Sequence, residues 1–212
     1  MTALACTDLE FGYGKLPSII SGFALRASPG DLVAITGPSG RGKSTLLYLI
    51  GLMLTPRSGV VQIDGQPVSS LPDAARSRLR AALFGFVFQD AALDPTRTVM
   101  DNIVEVSLYG DLEPAEARRR AGELMLELGV DTPGDRRPGQ ISGGQAQRIA
   151  LCRALVHRPA VLLADEPTGN LDDASAAGVI TALRRHARSG GITLVVTHDD
   201  RLVDACEQRI EL

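Results

Sequence analysis

A glycine-rich stretch from Gly37 to Thr45, GPSGRGKST, could hold a chain of phosphates. It satisfies the pattern G-x-x-x-x-G-K-[ST], in which the glycines let backbone N–H groups curl around a phosphate. Lys43 should reach the β- and γ-phosphates of a nucleoside triphosphate, and the Ser44 hydroxyl should bind Mg²⁺. The residues predicted to contact the nucleotide here are Gly37, Pro38, Ser39, Gly40, Arg41, Gly42, Lys43, Ser44 and Thr45.

Two adjacent carboxylates, Asp165 and Glu166, follow the apolar run VLLA. The carboxyl end of a strand is where an open α/β sheet presents its ligand site. Because neighbouring residues of a strand point to opposite faces, the two acids should have different roles. We expect Asp165 to hold Mg²⁺ through water and Glu166 to polarise a water that attacks the γ-phosphate.

Two further polar residues end apolar runs, Gln89 after FVF and His198 after TLVVT. The Gln89 amide could contact the metal or the water, and His198 could bind the γ-phosphate or Glu166. A lone histidine at a strand end caps a loop about as often as it has a functional role. Because His198 occurs together with the other predicted site residues, we expect it to take part in the chemistry. The predicted catalytic residues are Lys43, Gln89, Glu166 and His198, and the predicted Mg²⁺ ligands are Ser44, Gln89 and Asp165.

The elements that must position these residues alternate between strand and helix. Short apolar runs predict strands at 32–36, 84–89, 160–165 and 192–198. Helical spacing follows the first run, and a helix with Gly190-Gly191 as its stop precedes the last. Such alternation predicts a mainly parallel sheet covered on both faces. The flanking strand and helix also disfavour the alternative that GPSGRGKST is an ordinary glycine turn with a chance lysine.

Strand signals vanish between Asp90 and about His157. Within this segment Ala117, Ala121, Leu124 and Leu128 recur on one face of a predicted helix. We therefore expect a helical subdomain over 90–157, inserted into a nucleotide-binding core formed by 1–89 and 158–212. A separate pair of short strands is predicted around the tight turn Asp64-Gly65.

Composition restricts the class of protein. The chain has 212 residues, of which 44% are apolar and 22% charged, as in soluble globular proteins. Its formal charge of -3 gives no global reason to bind nucleic acid, so no nucleic-acid partner is expected. The longest strongly apolar run, Leu46 to Leu54, is about half the length of a membrane helix. Three widely spaced cysteines fit reduced thiols better than disulfides or a zinc site.

A second glycine loop, Ile141 to Gln145 (ISGGQ), has neither lysine nor acid. It offers a serine hydroxyl at a predicted helix N-cap, glycine N–H groups and a helix dipole. One chain already supplies a complete phosphate site. A second set of donors becomes useful when it meets the nucleotide of another copy.

The ordered set of motifs resembles the ATP-binding cassette ATPases. The motifs that carry the resemblance are Tyr13, GPSGRGKST, Gln89, ISGGQ, VLLADEP, NLD (170–172) and His198. It implies a RecA-like phosphate-loop core with a mainly parallel sheet, an antiparallel β subdomain and an inserted α-helical subdomain.

In that family two nucleotide-binding domains pack head to tail around two ATP molecules. By resemblance Tyr13 stacks on adenine, and Asp172 couples the two sites. The residues implied to act in trans are Ser142, Gly143, Gly144, Gln145 and Asp172. Integral membrane permeases on separate chains would be the other partners, and they would hold this chain at the cytoplasmic side of the membrane.

The segments ADEPTGNLD and VVTHD are similar to the bacterial LolD/MacB/FtsE subgroup, which implies export or force transmission across a membrane. Two alternatives stay open: the ATPase of an importer that uses a substrate-binding protein, and a soluble cassette that acts on DNA or a ribosome. The segment after Gln89, QDAALDPTRTV, departs from the subgroup because it lacks an aromatic residue and a Leu-Pro pair.

Overall fold

Nine strands in two sheets, with seven α-helices, are found in the computed structural model, which describes residues 2–110, 112–169 and 171–212. The strands are β1 (Leu4–Phe11), β2 (Ile20–Ala27), β3 (Leu32–Thr36), β4 (Ser58–Ile63), β5 (Gln66–Pro67), β6 (Phe84–Val87), β7 (Val161–Asp165), β8 (Ile192–Val196) and β9 (Gln208–Glu211). The helices are α1 (Lys43–Ile50), α2 (Asp73–Leu83), α3 (Val99–Val104), α4 (Pro114–Glu127), α5 (Gly143–Leu155), α6 (Asp173–Arg188) and α7 (Asp200–Val203). Short 3₁₀ turns cover Glu105–Tyr109 and Pro138–Gln140.

The larger sheet is parallel and has the strand order β6-β7-β8-β3-β9. Every residue of β3, β7 and β8 is buried. This explains why these strands read as continuous apolar runs, since a strand covered on both faces has no polar side. The predicted mainly parallel sheet is confirmed, and it brings the ends of β3, β7 and β8 to one edge.

Two apolar clusters cover the two faces of this sheet. Along β3, Leu32 and Ala34 belong to one cluster, whereas Val33 and Ile35 belong to the other. The first cluster includes side chains of α3, α4, α5 and α6, and the second includes α1 and the antiparallel sheet. Helices of the segment 90–157 therefore share a core with one face of the sheet. The boundaries of the helical subdomain stay a prediction.

The smaller sheet is antiparallel, with the order β2-β1-β4-β5. Asp64 and Gly65 have φ angles of 52° and 75°, so the turn predicted between β4 and β5 has the left-handed backbone that Asp-Gly favours. Sequence patterns do not predict β1, β2, β9 and α2. Each of these elements has exposed polar positions, and β9 is an edge strand, so none gives a continuous apolar run.

The helix predicted from Ala117, Ala121, Leu124 and Leu128 is α4 with its first following residue. Ala117, Ala121 and Leu128 are buried as expected, while Met125 is buried and Leu124 only half-buried. Helix α6 ends at Arg188, and Gly190 follows with a φ of 94°, as the predicted glycine stop requires. All three cysteines are free. No helix within the described ranges is both long and apolar enough to cross a membrane.

Gly51, the residue after α1, provides a test of how this helix is seated. A Cβ added there would overlap the Phe86 ring and lie 2.9 Å from Leu163 Cδ1. We expect Gly51→Ala to lower the free energy of unfolding by about 1–3 kcal/mol, because overpacking forces side chains or backbone to shift. Urea denaturation measures this. The control is Gly178→Ala in α6, where a Cβ meets nothing within 4 Å, and it should stabilise by about 0.5–1 kcal/mol. Equal effects of the two changes would contradict the packing.

Candidate functional site

A cleft of about 1000 Å³ opens at the carboxyl ends of β3, β7 and β8. Its lining residues come from the two predicted phosphate and acid motifs and from loops beside them. They are Tyr13, Ile19, Ser39, Gly40, Gly42, Lys43, Ser44, Thr45, Gln89, Asp165, Glu166, Thr168, Gly169, Leu171, Val196, His198, Asp199 and Arg201. The structure thus brings together all four predicted catalytic residues and all three predicted Mg²⁺ ligands.

Some predicted residues lie apart from this cleft. Arg41 is exposed, and the described lining of the cleft does not include it. Gly37 and Pro38 are also outside the described lining, and their carbonyl oxygens accept hydrogen bonds from Lys43 Nζ. The second glycine loop and Asp172 are also outside the described lining.

The phosphate loop leaves the start of α1 open to an anion. Gly42 is the N-cap residue, with a φ of 87°, and no side chain of the described residues caps the helix. At Gly40, where φ is 78°, nothing lies within 4 Å of where a Cβ would be. The unpaired N–H groups and the positive end of the helix dipole therefore face a space that a phosphate could fill.

Lys43 is held inside its own loop. Its Nζ donates to the carbonyl oxygens of Gly37 at 2.8 Å and Pro38 at 2.9 Å, and the side chain is buried. Gly37 has a φ of 137°, and a Cβ there would lie 2.6 Å from the Leu212 carbonyl oxygen. Only glycine fits between the end of β3 and the chain after β9, so the folded sheet fixes the path of the loop.

Asp165 is buried at the end of β7, beside Ser44 and Lys43. Burial raises the pKa of its carboxyl group, while a hydrogen bond from Ser44 and the charge of Lys43 act in the opposite direction. The cleft thus contains a buried carboxylate and a hydroxyl close together, both of them oxygen donors.

Glu166 turns away from Asp165 because its backbone leaves the strand. Its φ is 47°, a left-handed conformation that costs a non-glycine residue about 1–3 kcal/mol and occurs most often at functional sites. A hydrogen bond from its N–H to the Val196 carbonyl, 2.8 Å, holds the turn. The carboxylate accepts from the His198 N–H at 3.2 Å, and its Oε1 lies 3.5 Å from His198 Nε2. Glu166 and His198 are therefore neighbours, as predicted.

A group that the sequence analysis missed lies behind His198. Arg201 donates two hydrogen bonds to Asp199, of 2.9 and 2.8 Å, and also contacts Asp173 at the start of α6. These bonds lower the pKa of Asp199 to about 2. Arg201 thus links the loop of His198 to the loop of Asp172. The only sequence signal is its position next to the His198 motif.

Gln89 is exposed at the cleft, two residues beyond the end of β6. The chain then passes through Ala91 and Ala92, whose φ angles of 61° and 46° are unusual for alanine. Arg153 of α5 donates to both of their carbonyl groups at 2.7 Å. This bridge was missed because 62 and 61 residues separate its ends. It connects the helix that follows the second glycine loop to the loop of Gln89.

Tyr13 stands at the rim of the cleft. Its ring packs edge-on against Phe11, with 5.0 Å between centroids, and its hydroxyl lies 3.2 Å from Thr45 Oγ1. The side chain is 49% exposed. A flat aromatic surface is therefore available next to the phosphate loop.

The second glycine loop caps its own helix. The Ser142 hydroxyl accepts from the Gln145 N–H at 3.2 Å, and the Gln145 side chain accepts from the Ser142 N–H at 3.0 Å. The predicted N-cap is confirmed. This reciprocal pair leaves the hydroxyl hydrogen of Ser142 and the N–H groups of Gly143 and Gly144 free to donate.

Asp172 caps α6 in a similar way, because its carboxylate accepts from the Ser175 N–H at 2.9 Å. Hydrogen bonds from the Ser175 N–H and from the Ser175 hydroxyl lower the pKa of Asp172. Asn170, the first residue of the predicted NLD motif, lies outside the described residues.

The strand ends of the parallel sheet carry an uncapped glycine loop, a buried carboxylate and a second carboxylate beside a histidine. These are the parts of one known class of site. The fold and the cleft define a nucleoside-triphosphate-binding protein of the phosphate-loop class.

Comparison with known proteins identifies the family. Residues 20–169 match the family model described as ABC transporter, and the chain belongs to this family. The lipoprotein-releasing system ATP-binding protein LolD of Myxococcus xanthus is 42% identical over 203 residues, which are 95% of this chain and 91% of that protein. The macrolide export ATP-binding/permease protein MacB of Syntrophobacter fumaroxidans is 40% identical over 194 residues, 91% of this chain but 27% of that protein.

The fold agrees with this membership. A dimeric post-hydrolysis structure of the ATP-binding cassette MJ0796, bound to ADP and Pi, superposes with a TM-score of 0.91 at 31% identity, covering 99% of this chain and 94% of that one. The chain is thus an ATP-binding cassette of the ATP-hydrolysing kind, as the ordered motifs predict. The resemblance to the LolD and MacB subgroup is confirmed.

Acid should weaken the contact between Asp199 and Arg201. The folded-state pKa of about 2 lies below the ordinary 3.8, so the stabilisation is complete above about pH 4 and disappears as the pH falls towards 2. We expect Asp199→Asn to be less stable than wild type at pH 7, with a difference that shrinks between pH 4 and 2.5, measured by urea denaturation. Asp135→Asn, at an exposed position, controls for loss of a negative charge. A difference that does not change with pH would rule out this ion pair.

Proposed function

We propose that two copies of this chain bind two ATP molecules head to tail and hydrolyse them to drive a separate membrane permease. The observation that carries the proposal is the division of donors between two surfaces. One cleft contains Lys43, Asp165 and Glu166. The free donors of Ser142 and its glycines lie outside the described lining of that cleft. A site that uses both sets needs a second copy.

ATP would occupy the cleft with its phosphates in the loop Gly37–Thr45. The N–H groups of the loop and of the first turn of α1 receive the β-phosphate, and Lys43 exchanges its carbonyl partners for the β- and γ-phosphates. The adenine stacks on Tyr13. A cation and a helix end acting together explain why a chain of net charge -3 can bind a polyanion.

The residues beside the phosphates fit Mg²⁺. Ser44, Asp165 and Gln89 all line the cleft and offer hydroxyl, carboxylate and amide oxygens. Mg²⁺ prefers such hard donors and is bound by only one or two protein groups besides phosphate and water. When bound, the ion would neutralise phosphate charge. Burial of Asp165 gives that carboxylate a strong preference for a cation at close range.

Hydrolysis would proceed by proton removal from a water held by Glu166. The water oxygen forms a bond to the γ-phosphorus as its proton passes to the carboxylate. The bond between the γ-phosphorus and the bridging oxygen breaks, and ADP leaves with that electron pair. His198 orients Glu166 and the γ-phosphate, and Gln89 orients the water.

The second copy would complete the site through Ser142, Gly143, Gly144 and Gln145. The free hydroxyl hydrogen of Ser142 and the glycine N–H groups donate to the γ-phosphate of the partner's ATP, and Asp172 connects the two sites. An isologous twofold interface supplies both sites at once. Because hydrolysis removes the shared phosphate, ATP closes the dimer and its cleavage opens it. The MJ0796 structure, which is itself dimeric with ADP and Pi, supports this arrangement.

A groove of about 420 Å³ next to Gln89 suits a helix of the permease. Its floor contains Phe84, Phe86 and Phe88, and the last two stack 5.8 Å apart. Tyr109 at its edge is 68% exposed, and the neighbouring Leu108 is 67% exposed. Exposed aromatic residues around an apolar groove are typical of a binding surface.

One side chain connects the groove to the cleft. Arg153 lines the groove and also donates hydrogen bonds to the loop that follows Gln89. The names of the LolD and MacB relatives favour a permease for lipoprotein release or macrolide export. Membrane contact would then be peripheral and through that permease.

Dimer formation tests the composite site. Glu166→Gln should bind ATP and run as a dimer on a sizing column, because the water-polarising carboxylate is gone while the phosphate donors remain. Adding Ser142→Arg to this variant should leave ATP bound to a monomer, since the bulky cation blocks the partner's phosphate. Adding Lys43→Ala instead should abolish ATP binding itself. A dimer in the Ser142→Arg double variant would show that the second glycine loop is not part of the site.

Permease capture tests the groove. Tyr109→Asp should abolish co-purification of a membrane permease with a large extracytoplasmic domain from detergent-solubilised native membranes, while ATP-dependent dimerisation in the Glu166→Gln background persists. Leu126→Asp is the matched control, since Leu126 is 83% exposed on α4 and lies outside the groove. Recovery of an importer permease with its substrate-binding protein would replace the export assignment.

A further inference from the structure

One arginine, located just before β4, holds the loop that carries Tyr13. The Tyr13 loop, residues 12–19, joins β1 to β2. Arg57 Nη2 donates to the carbonyl oxygens of Gly14 at 2.8 Å and Leu16 at 2.7 Å. Its Nη1 donates to Ser18 Oγ at 3.3 Å. A single guanidinium thus bonds three points along this loop.

The guanidinium is itself fixed at its base and packed against the loop. The Arg57 N–H donates to the Glu10 carbonyl at 2.8 Å, which ties the residue to β1. A Cβ added at Gly12 would lie 3.0 Å from Arg57 Cζ and 2.7 Å from the Pro17 carbonyl oxygen. The guanidinium therefore rests directly on the loop backbone, at a position that only glycine leaves open.

Glu10 completes the network. Its carboxylate accepts from Ser18 Oγ at 2.7 Å and from Ser58 Oγ at 3.1 Å. Strands β1 and β4 are thereby connected to the end of the Tyr13 loop that precedes β2. The side-chain hydrogen bonds of Arg57 are on the exposed surface, and the described lining of the cleft does not include this residue.

The conformation of the Tyr13 loop affects the cleft because residues near both ends of the loop line it. Tyr13 and Ile19 line the cleft, and they are the only members of the loop among its described lining. Ordering one free residue costs about 1–2 kcal/mol of conformational entropy, so an unheld loop must be ordered when the ligand binds. A loop that is already held saves that cost and binds more tightly.

We propose that Arg57 is a positioning residue that pre-orders the Tyr13 loop for the base of the nucleotide. The inference rests on the proposed function, in which Tyr13 stacks on adenine. It assigns Arg57 to recognition of the base and not to the phosphates, whose donors belong to a different loop. The effect of Arg57 should therefore depend on whether the ligand has a base.

The test compares two ligands, ATP and inorganic tripolyphosphate, by calorimetry. Arg57→Ala should weaken ATP binding about tenfold, equivalent to about 1.4 kcal/mol, and leave tripolyphosphate affinity unchanged. In steady-state assays KM for ATP should rise while kcat stays within about twofold. Arg57→Lys should recover part of the affinity, since an ammonium cannot reach all three acceptors. Arg26→Ala, at an exposed arginine of β2 in the same sheet, should change neither ligand.

A double-mutant cycle with Tyr13→Ala separates this inference from the proposed function. If Arg57 acts through Tyr13, then Arg57→Ala has little further effect in the Tyr13→Ala background. Additive losses, or equal losses for ATP and tripolyphosphate, would overturn the positioning role while leaving the stacking role intact. Unchanged ATP affinity in Tyr13→Ala would overturn the stacking role first, and the inference with it.

Discussion

The parallel pairing of β3, β8 and β7 is the constraint on which the site depends. These three strands are buried on both faces, so their side chains can reach a ligand only where the strands end. Parallel direction brings those ends to one edge. The phosphate loop, the acid pair and the loop of His198 therefore meet although about 160 residues of sequence separate the first from the last. The cleft follows from the sheet and needs no separate device to assemble it.

Sequence patterns predicted the parts of the molecule that depend on local chemistry or on full burial. The apolar runs at 32–36 and 192–198, the Asp64-Gly65 turn and the Ser142 N-cap each have a cause within a few residues. The bridges from Arg57, Arg153 and Arg201 to distant parts of the chain have no such cause. Arginines occur throughout the sequence, and the distant partners are backbone carbonyls or the acid Asp173. Strand β9 was not predicted for a related reason, because a polar edge strand has no periodicity to detect.

The two glycine loops solve different physical problems with the same residue. In the first, left-handed glycines keep a helix start open, so that an anion could take the place of a side-chain cap. In the second, a reciprocal cap satisfies part of the helix start and leaves only weaker, neutral donors. A neutral donor set binds little alone but adds to a phosphate that another surface already holds. This difference fits one permanent site and one conditional contact.

The paired left-handed alanines after Gln89 also limit how this region can diverge. Ala91 and Ala92 occupy a backbone conformation that glycine adopts freely, and the two carbonyl bonds from Arg153 offset the cost. The arginine and the two small residues therefore form one evolutionary unit. Glycines at these sites would remove the conformational cost and make the arginine less necessary, whereas alanines keep the need for it, so substitutions at these three positions should be coupled.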